Sequence, residues 1–200
     1  MATRKKHFSS FKKTEAFQQL QLNDLLPWEI PPRVLEPSSF LLERLARLRR
    51  NFDLEEYEES KKLLIDALCE EAIDQFSSLK IWKGAHLESE TASGYVDYLV
   101  AEKKRFFTSP LLCIIEAKKD NFEQGLAQCL VEMQACQWQN QQHDQSIDVF
   151  GIVTNGNTWQ FYRLTTVNLG WESPAHSTGD LPLLLGRLSY VFELCQANLA

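Results

Sequence analysis

The hydrophobic periodicity of this chain changes near Lys80, and the change limits the folds that it can adopt. Before that point, residues 54–80 carry apolar side chains about one helical turn apart, which predicts a long helix. After it, three short apolar runs are typical of β-strands: residues 81–90, 95–101 and 111–118. The chain is therefore expected to pass from helix into sheet at this boundary.

Capping residues and a turn motif predict the remaining elements. Ser38-Ser39 precedes a helix over residues 41–48, and Asn121 or Asp120 precedes a helix that reaches about Asn140. Asn155-Gly156 separates two β-rich runs and predicts a β-hairpin. A last helix is expected over residues 181–197. The order helix, three strands, helix, two strands, helix predicts a mixed α/β sheet with helices on both faces.

The first 37 residues differ from the rest of the chain. They have few periodic apolar positions and four prolines, at 27, 31, 32 and 37, which prevent a long helix. We expect residues 1–37 to pack as an extended arm and residues 38–200 to form a single domain. The chain has 200 residues of which 44% are hydrophobic, enough for a substantial core.

Composition also narrows the class of protein. No apolar run approaches the ~20 residues of a membrane span, and the basic start lacks a following signal-peptide stretch. We therefore expect a cytoplasmic protein without membrane association. The five cysteines lack the close pairs of a zinc site, which predicts reduced and mostly buried thiols.

The net charge of −6 argues against a protein that coats nucleic acid through its overall field. Local basic clusters can still face phosphates. Three such clusters occur: residues 4–7 with 12–13, residues 103–105, and residues 118–119. The alternative for each is a solvated surface.

An ionic group follows the most apolar strand of the chain. Glu116 and Lys118 project from the same face of that strand, because side chains alternate and Ala117 faces the other way. Such residues are costly to desolvate unless they are paired or bind a metal, so they are site candidates. Asp97 on the preceding strand supplies a second carboxylate. The structural alternatives are a surface salt bridge for Glu116 and Lys118, and a turn or edge carboxylate for Asp97.

These groups suit phosphodiester hydrolysis with a bound Mg²⁺, for which Mn²⁺ can substitute. Mg²⁺ prefers oxygen ligands and keeps several waters, so two carboxylates and a carbonyl are sufficient. We expect Asp97, Glu116 and the carbonyl of Ala117 to bind the ion. Lys118 would orient or help deprotonate the attacking water and offset developing negative charge.

The order αβββαβ with Gly94-x-x-Asp97, Glu116-x-Lys118 and a Gln on the next helix resembles the PD-(D/E)xK nuclease superfamily. The N-terminal nuclease domains of type I restriction motor subunits, and small stand-alone proteins related to them, are most similar. The resemblance covers about residues 55–164 and implies a restriction endonuclease-like fold, in which a mixed sheet is flanked by helices. It also implies metal binding by Asp97 and Glu116, and catalysis by Lys118. The expected partners are DNA and either a second copy or a larger restriction or repair complex.

The resemblance further implies a supporting amide and an acid on the first helix. The amide would come from Gln128 or Gln124, because the Gln that precedes a Tyr by four residues in the family is absent here. The acid would be Glu59, which matches a glutamate that lies near the metal in the family. Three other acids on the same predicted helix are alternatives: Asp66, Glu70 and Glu71.

Two other functions compete with a nuclease. A non-catalytic DNA-binding or assembly module could keep the same fold, and a plain α/β scaffold could bind a protein through its arm and acidic helix without metal affinity. The aromatic residues Trp159, Phe161 and Tyr162 could stack on bases, but core packing is the commoner role of such residues. The four histidines, at 7, 86, 143 and 176, have no metal-binding spacing and are expected in surface positions or loops.

Overall fold

The computed structural model describes residues 5–199; Arg4, part of the first basic cluster, lies outside them. The helices are α1 Lys13–Gln19, α2 Ser39–Asn51, α3 Glu58–Ile73, α4 Phe122–Gln141 and α5 Leu181–Ala197. The strands are β1 Lys6–His7, β2 Leu26–Pro27, β3 Leu79–Glu88, β4 Ala92–Glu102, β5 Leu111–Ala117, β6 Val149–Thr154, β7 Thr158–Leu164, β8 Gly170–Glu172 and β9 His176–Ser177. This order contains every element that the sequence predicted.

All the strands belong to one mixed sheet with the order β1-β4-β5-β6-β7-β8-β2, in which β3 also pairs with β4 and β9 with β7. The central pair β5 and β6 is parallel, whereas β3–β4, β4–β5 and β6–β7 are antiparallel. The predicted mixed α/β architecture is confirmed.

Two hydrophobic cores lie on opposite faces of the sheet. The α3-side core is built with α2, α3 and α5, and the α4-side core with α4 and α1. Every residue of β5 is buried, because the strand lies between the two cores. A charged residue at the end of β5 is therefore held in an apolar environment.

Local signals are confirmed at both predicted caps and at the hairpin. Ser38 Oγ accepts a hydrogen bond from Leu41 N, and Asn121 Oδ1 accepts one from Gln124 N. Gly156 in the β6–β7 turn has φ +86°, a conformation that favours glycine. The three aromatic residues after that turn are buried in the cores, which confirms packing as their role: Trp159, Phe161 and Tyr162.

The first long helix is shorter than predicted. The sequence favoured residues 54–80, but α3 covers Glu58–Ile73, and β3 already begins at Leu79. At the start, the Asp53 carboxylate accepts hydrogen bonds from the N–H groups of Glu55 and Glu56, which forms a turn in place of helix. The apolar period continues through Phe76 because a turn places this residue in the α3-side core.

The arm is not wholly extended, so that part of the prediction is wrong. Residues 13–19 form α1, whose buried Ala16 packs in the α4-side core. The Glu15 carboxylate accepts a hydrogen bond from Lys12 N at the start of this helix, and all four prolines lie after its end. The arm also adds β1 parallel to β4 and β2 parallel to β8.

The five cysteines are buried free thiols, as predicted. Across residues 5–199, none of the helices has the length and apolar character needed to cross a membrane.

Candidate active site

A kink in the β3–β4 ribbon turns Asp97 toward α3. Gly84, with φ +61°, and Asp97 lie between the paired residues Lys83–Tyr98 and Ala85–Val96. Val96 and Leu99 both belong to the α4-side core although they are three residues apart, so the usual alternation reverses between them. Asp97 and Tyr98 consequently both reach α3.

The end of β5 brings three of the predicted site residues together. Lys118 Nζ lies 2.6 Å from Glu116 Oε1, and Asp97 Oδ2 accepts a hydrogen bond from Ala117 N at 3.0 Å. The two carboxylates therefore flank one strand end, as the alternation and order of the strands predicted. Ala117 supplies its N–H to this arrangement, and metal binding by its carbonyl stays a prediction.

Glu116 is the most strongly perturbed member of this group. Its side chain is 1% exposed. Burial, as the larger cause, and the charge of Asp97, as the second, raise the pKa of Glu116 to about 7. Burial outweighs the opposing effect of Lys118, which would lower the pKa. Glu116 Oε2 is buried without a hydrogen-bond partner in residues 5–199. An acceptor of this kind requires a proton, a water molecule or a cation.

Lys118 stays charged beside this carboxylate. Burial alone would lower the pKa of Lys118, but the charge and hydrogen bond of Glu116 outweigh burial, so the pKa is raised. The ammonium can therefore donate hydrogen bonds at neutral pH and does not serve as a free base in this state.

Lys62 is a site residue that the sequence reasoning missed. Its ammonium lies 2.9 Å from Asp97 Oδ1 and 2.6 Å from Glu59 Oε1, and its carbonyl accepts a hydrogen bond from Tyr98. Burial would lower the pKa of Lys62, but the hydrogen bonds to Glu59 and Asp97 raise it. The spacing of Glu58 and Glu59 ahead of Lys62 on a helix was the available signal.

The first-helix acids have different surroundings. The Glu59 side chain is 83% exposed, and the hydrogen bond from Lys62 lowers its pKa. The charge of Glu58 also raises the pKa of Glu116, although burial and the charge of Asp97 are larger causes. Glu58 is therefore electrostatically part of the site. The three alternatives pair elsewhere: Asp66 with Lys83, Glu70 with Arg44, and Glu71 with Ser38.

The two candidate glutamines of α4 point to different places. Gln124 Nε2 donates to the carbonyls of Ser9 and Phe11, so this side chain holds the arm. Gln128 is buried, and its Nε2 donates to Glu132 Oε1 at 2.9 Å. Gln128 therefore forms a buried polar group with Glu132, and Gln124 does not belong to this group.

Glu132 is a second residue that the sequence reasoning did not select. It is fully buried. Burial, as the larger cause, and the charge of Glu116, as the second, raise the pKa of Glu132 well above its ordinary range. Glu132 Oε2 and Gln128 Oε1 also have no hydrogen-bond partner in the described part of the chain. Its position four residues after Gln128 was the only sequence signal for this contact.

Asp97 and Glu116 are the two carboxylates that could hold a Mg²⁺ ion. No group of three His, Cys, Asp or Glu residues suited to a metal occurs in residues 5–199. Mg²⁺ nevertheless binds through one or two carboxylates while it keeps several waters. Asp97 and Glu116 supply that number, and the unpartnered Glu116 Oε2 is an oxygen that an ion can use.

The basic clusters are partly neutralised by nearby acids. Lys5 pairs with Glu88, and Lys6 with Glu15. In the loop after β4, Lys104 pairs with Glu102. Lys12 and Lys13 line a cavity of about 380 Å³ with residues at the start of α4. The arm therefore places positive charge next to the helix that carries Gln128.

A search of protein-family models and of curated proteins finds no match to this chain.

Proposed function

We propose that the chain is a Mg²⁺-dependent nuclease that hydrolyses DNA phosphodiester bonds as an endonuclease, on a restriction endonuclease-like fold. One observation carries the proposal: the buried carboxylate of Glu116, with one oxygen that has no hydrogen-bond partner among residues 5–199, lies beside Lys118 and the strand end that Asp97 contacts. The structural alternative is a surface salt bridge between Glu116 and Lys118. Surface salt bridges do not need burial of this degree, so this alternative explains the arrangement poorly.

The residues have separate roles in this proposal. Asp97 and Glu116 would hold the ion, whose chemistry is to stabilise charge on the phosphate and to make a bound water more acidic. Lys118, kept protonated by Glu116, would donate hydrogen bonds to a phosphate oxygen as negative charge develops. Gln128 Oε1 would accept a hydrogen bond from a water molecule next to the strand end, and Glu132, kept protonated by burial, would donate one to it. Lys62 would hold Asp97 in position from α3.

A non-catalytic DNA-binding module is the second candidate, and one observation favours it. Lys62 and Lys118 already contact one oxygen each of Asp97 and Glu116. The charge of both carboxylates is therefore balanced in part without a metal ion. This candidate predicts DNA binding without cleavage.

Cleavage of plasmid, linear and branched DNA with Mg²⁺ or Mn²⁺ tests the choice. Lys118→Ala should lower the cleavage rate by about 10²-fold or more, because it removes a donor to the transition state. DNA affinity should change little, since one lost charge removes about one counterion from the salt dependence. Lys119→Ala, at an exposed neighbouring position, is the matched control and should keep the cleavage rate of the unmodified protein at saturating DNA.

Metal binding has an independent readout. Mg²⁺ or Mn²⁺ at millimolar concentration should raise the melting temperature of the unmodified protein by mass action, and Asp97→Asn should reduce that rise. Salt-dependent DNA binding with no cleavage by either ion and no thermal shift would leave only the non-catalytic module.

A further inference from the structure

Tyr95 and His86 form an exposed aromatic pair on the β3–β4 ribbon. They are register partners, and their rings lie 5.2 Å apart at an interplanar angle of 72°. Tyr95 is 68% exposed, so the described residues leave its ring accessible to a ligand. Cross-strand aromatic pairs usually stabilise a sheet, but in this pair most of the Tyr95 side chain stays exposed to solvent.

Tyr95 lies on the same face of β4 as Asp97. Val96 and Gly94 point toward the α4-side core and the arm, so Tyr95 and Asp97, which alternate with them, share the opposite face. Two residues of a strand span about 7 Å. A base that stacks on Tyr95 can therefore belong to the nucleotide next to a phosphate at Asp97.

Only unpaired bases can use such a surface. In a duplex the faces of the bases are covered by their neighbours, whereas a single strand can place each base on an aromatic side chain. The three aromatic residues that the sequence offered for base stacking cannot serve, because their rings are buried: Trp159, Phe161 and Tyr162. Lys83 lies on the same ribbon, beside the ring of Tyr98, but its ammonium is paired with Asp66, so base stacking and not charge is the contact that this surface offers.

We propose that Tyr95, supported by His86, is a stacking site for an unpaired base of single-stranded DNA, which brings the adjoining phosphate to Asp97 and Glu116. The part of this inference that concerns the phosphate rests on the proposed nuclease function. Base binding itself does not require cleavage and can be measured without a divalent ion.

The test uses a single-stranded oligothymidine with one 2-aminopurine, and the same strand in a duplex, both in metal-free buffer. Stacking quenches 2-aminopurine fluorescence, so binding and base contact are read together. Tyr95→Ala should weaken single-strand binding by about 5- to 150-fold and abolish the quench. Tyr95→Phe keeps the ring and should bind within about twofold of the unmodified protein.

Two controls make the result specific. Phe40→Ala removes another exposed ring, 63% exposed on α2, and should leave single-strand binding unchanged. Affinity for the duplex should be equal in the unmodified protein and in Tyr95→Ala. Equal single-strand binding by these two proteins would overturn the proposal, as would the absence of any single-strand binding.

The outcome separates this inference from the nuclease proposal. Quenching that depends on Tyr95 without cleavage under any divalent ion would support the stacking site and refute the nuclease. Cleavage that depends on Lys118, together with single-strand binding that Tyr95→Ala leaves unchanged, would support the nuclease and refute the stacking site.

Discussion

At the scale of single residues, the buried carboxylate of Glu116 decides the electrostatics of the site. Its buried environment favours the neutral form, while the nearby Lys118 ammonium favours the charged form, and one of its oxygens has no hydrogen-bond partner within the described residues. An apolar residue at this position would pack in the sheet at lower cost. Glu116 therefore costs the fold stability at this position, which is why it is a candidate for a functional role.

This environment predicts that stability falls as the pH rises through the range between the ordinary pKa of 4.5 and the folded pKa of about 7 for Glu116. In that range the folded state binds more protons than the unfolded state, so the free energy of unfolding decreases with pH. Each pKa unit corresponds to about 1.4 kcal/mol, so the loss is on the order of a few kcal/mol.

Glu116→Gln should reduce this dependence, because the amide stays neutral and can still accept a hydrogen bond from Lys118, whereas the raised pKa of Glu132 still makes stability fall with pH. Denaturant unfolding in metal-free buffer at several pH values between 5 and 8 gives the measurement. Glu29→Gln, at an exposed position, is the control and should keep the slope of the unmodified protein. Parallel pH curves for Glu116→Gln and the unmodified protein would contradict the assignment.

At the scale of secondary structure elements, α4 connects the site to the far end of β5. Asn140, fully buried near the end of α4, accepts a hydrogen bond from Leu111 N and donates one to Leu111 O, both at 2.8 Å. Gln128 lies earlier on α4 and contributes to the buried polar group. One side-chain amide thus helps to hold the helix in register with the strand that carries Glu116.

Asn140→Ala should reduce the free energy of unfolding by about 2–5 kcal/mol, because it leaves a buried backbone N–H and C=O unpaired. Urea unfolding measures the loss, and faster hydrogen exchange at the Leu111 amide would locate it. Asn51→Ala is the matched control, since Asn51 is exposed and its amide bonds only within α2. A loss no larger than that of the control would show that the contact does not stabilise the fold.

At the scale of the whole molecule, the arm and the remainder of the chain share both cores. Phe8 and Leu20 are buried in the α4-side core, and Trp28 and Ile30 in the α3-side core. The ring of Phe8 fits against Gly94, where an added Cβ would lie 2.9 Å from Phe8 Cδ2. The expected boundary at residue 37 does not coincide with a break in hydrophobic packing.

Phe8→Ala should therefore reduce the free energy of unfolding by about 3–5 kcal/mol, as deletion of a buried aromatic ring does elsewhere. Phe40→Ala, which removes an exposed ring, should cost much less. Thermal or denaturant unfolding compares the two variants. Equal stabilities would indicate that the arm packs too loosely to support the domain.

The sequence by itself determined those features that depend on residues close together in the chain. The caps at Ser38 and Asn121 and the turn at Gly156 involve groups within about four residues, so local propensity predicted them. The alternation over Glu116 and Lys118 is equally local. These signals were sufficient for the mixed α/β architecture and for the choice of the strand end as the candidate site.

The tertiary structure alone decided which side chains meet at that strand end. Lys62 reaches Asp97, and Gln124 reaches Ser9 and Phe11, from positions far away in sequence. The short strands of the arm likewise form only because distant edges accept their hydrogen bonds. Burial of Glu116 and its unpartnered oxygen results from packing on both faces of the sheet, which no local pattern specifies.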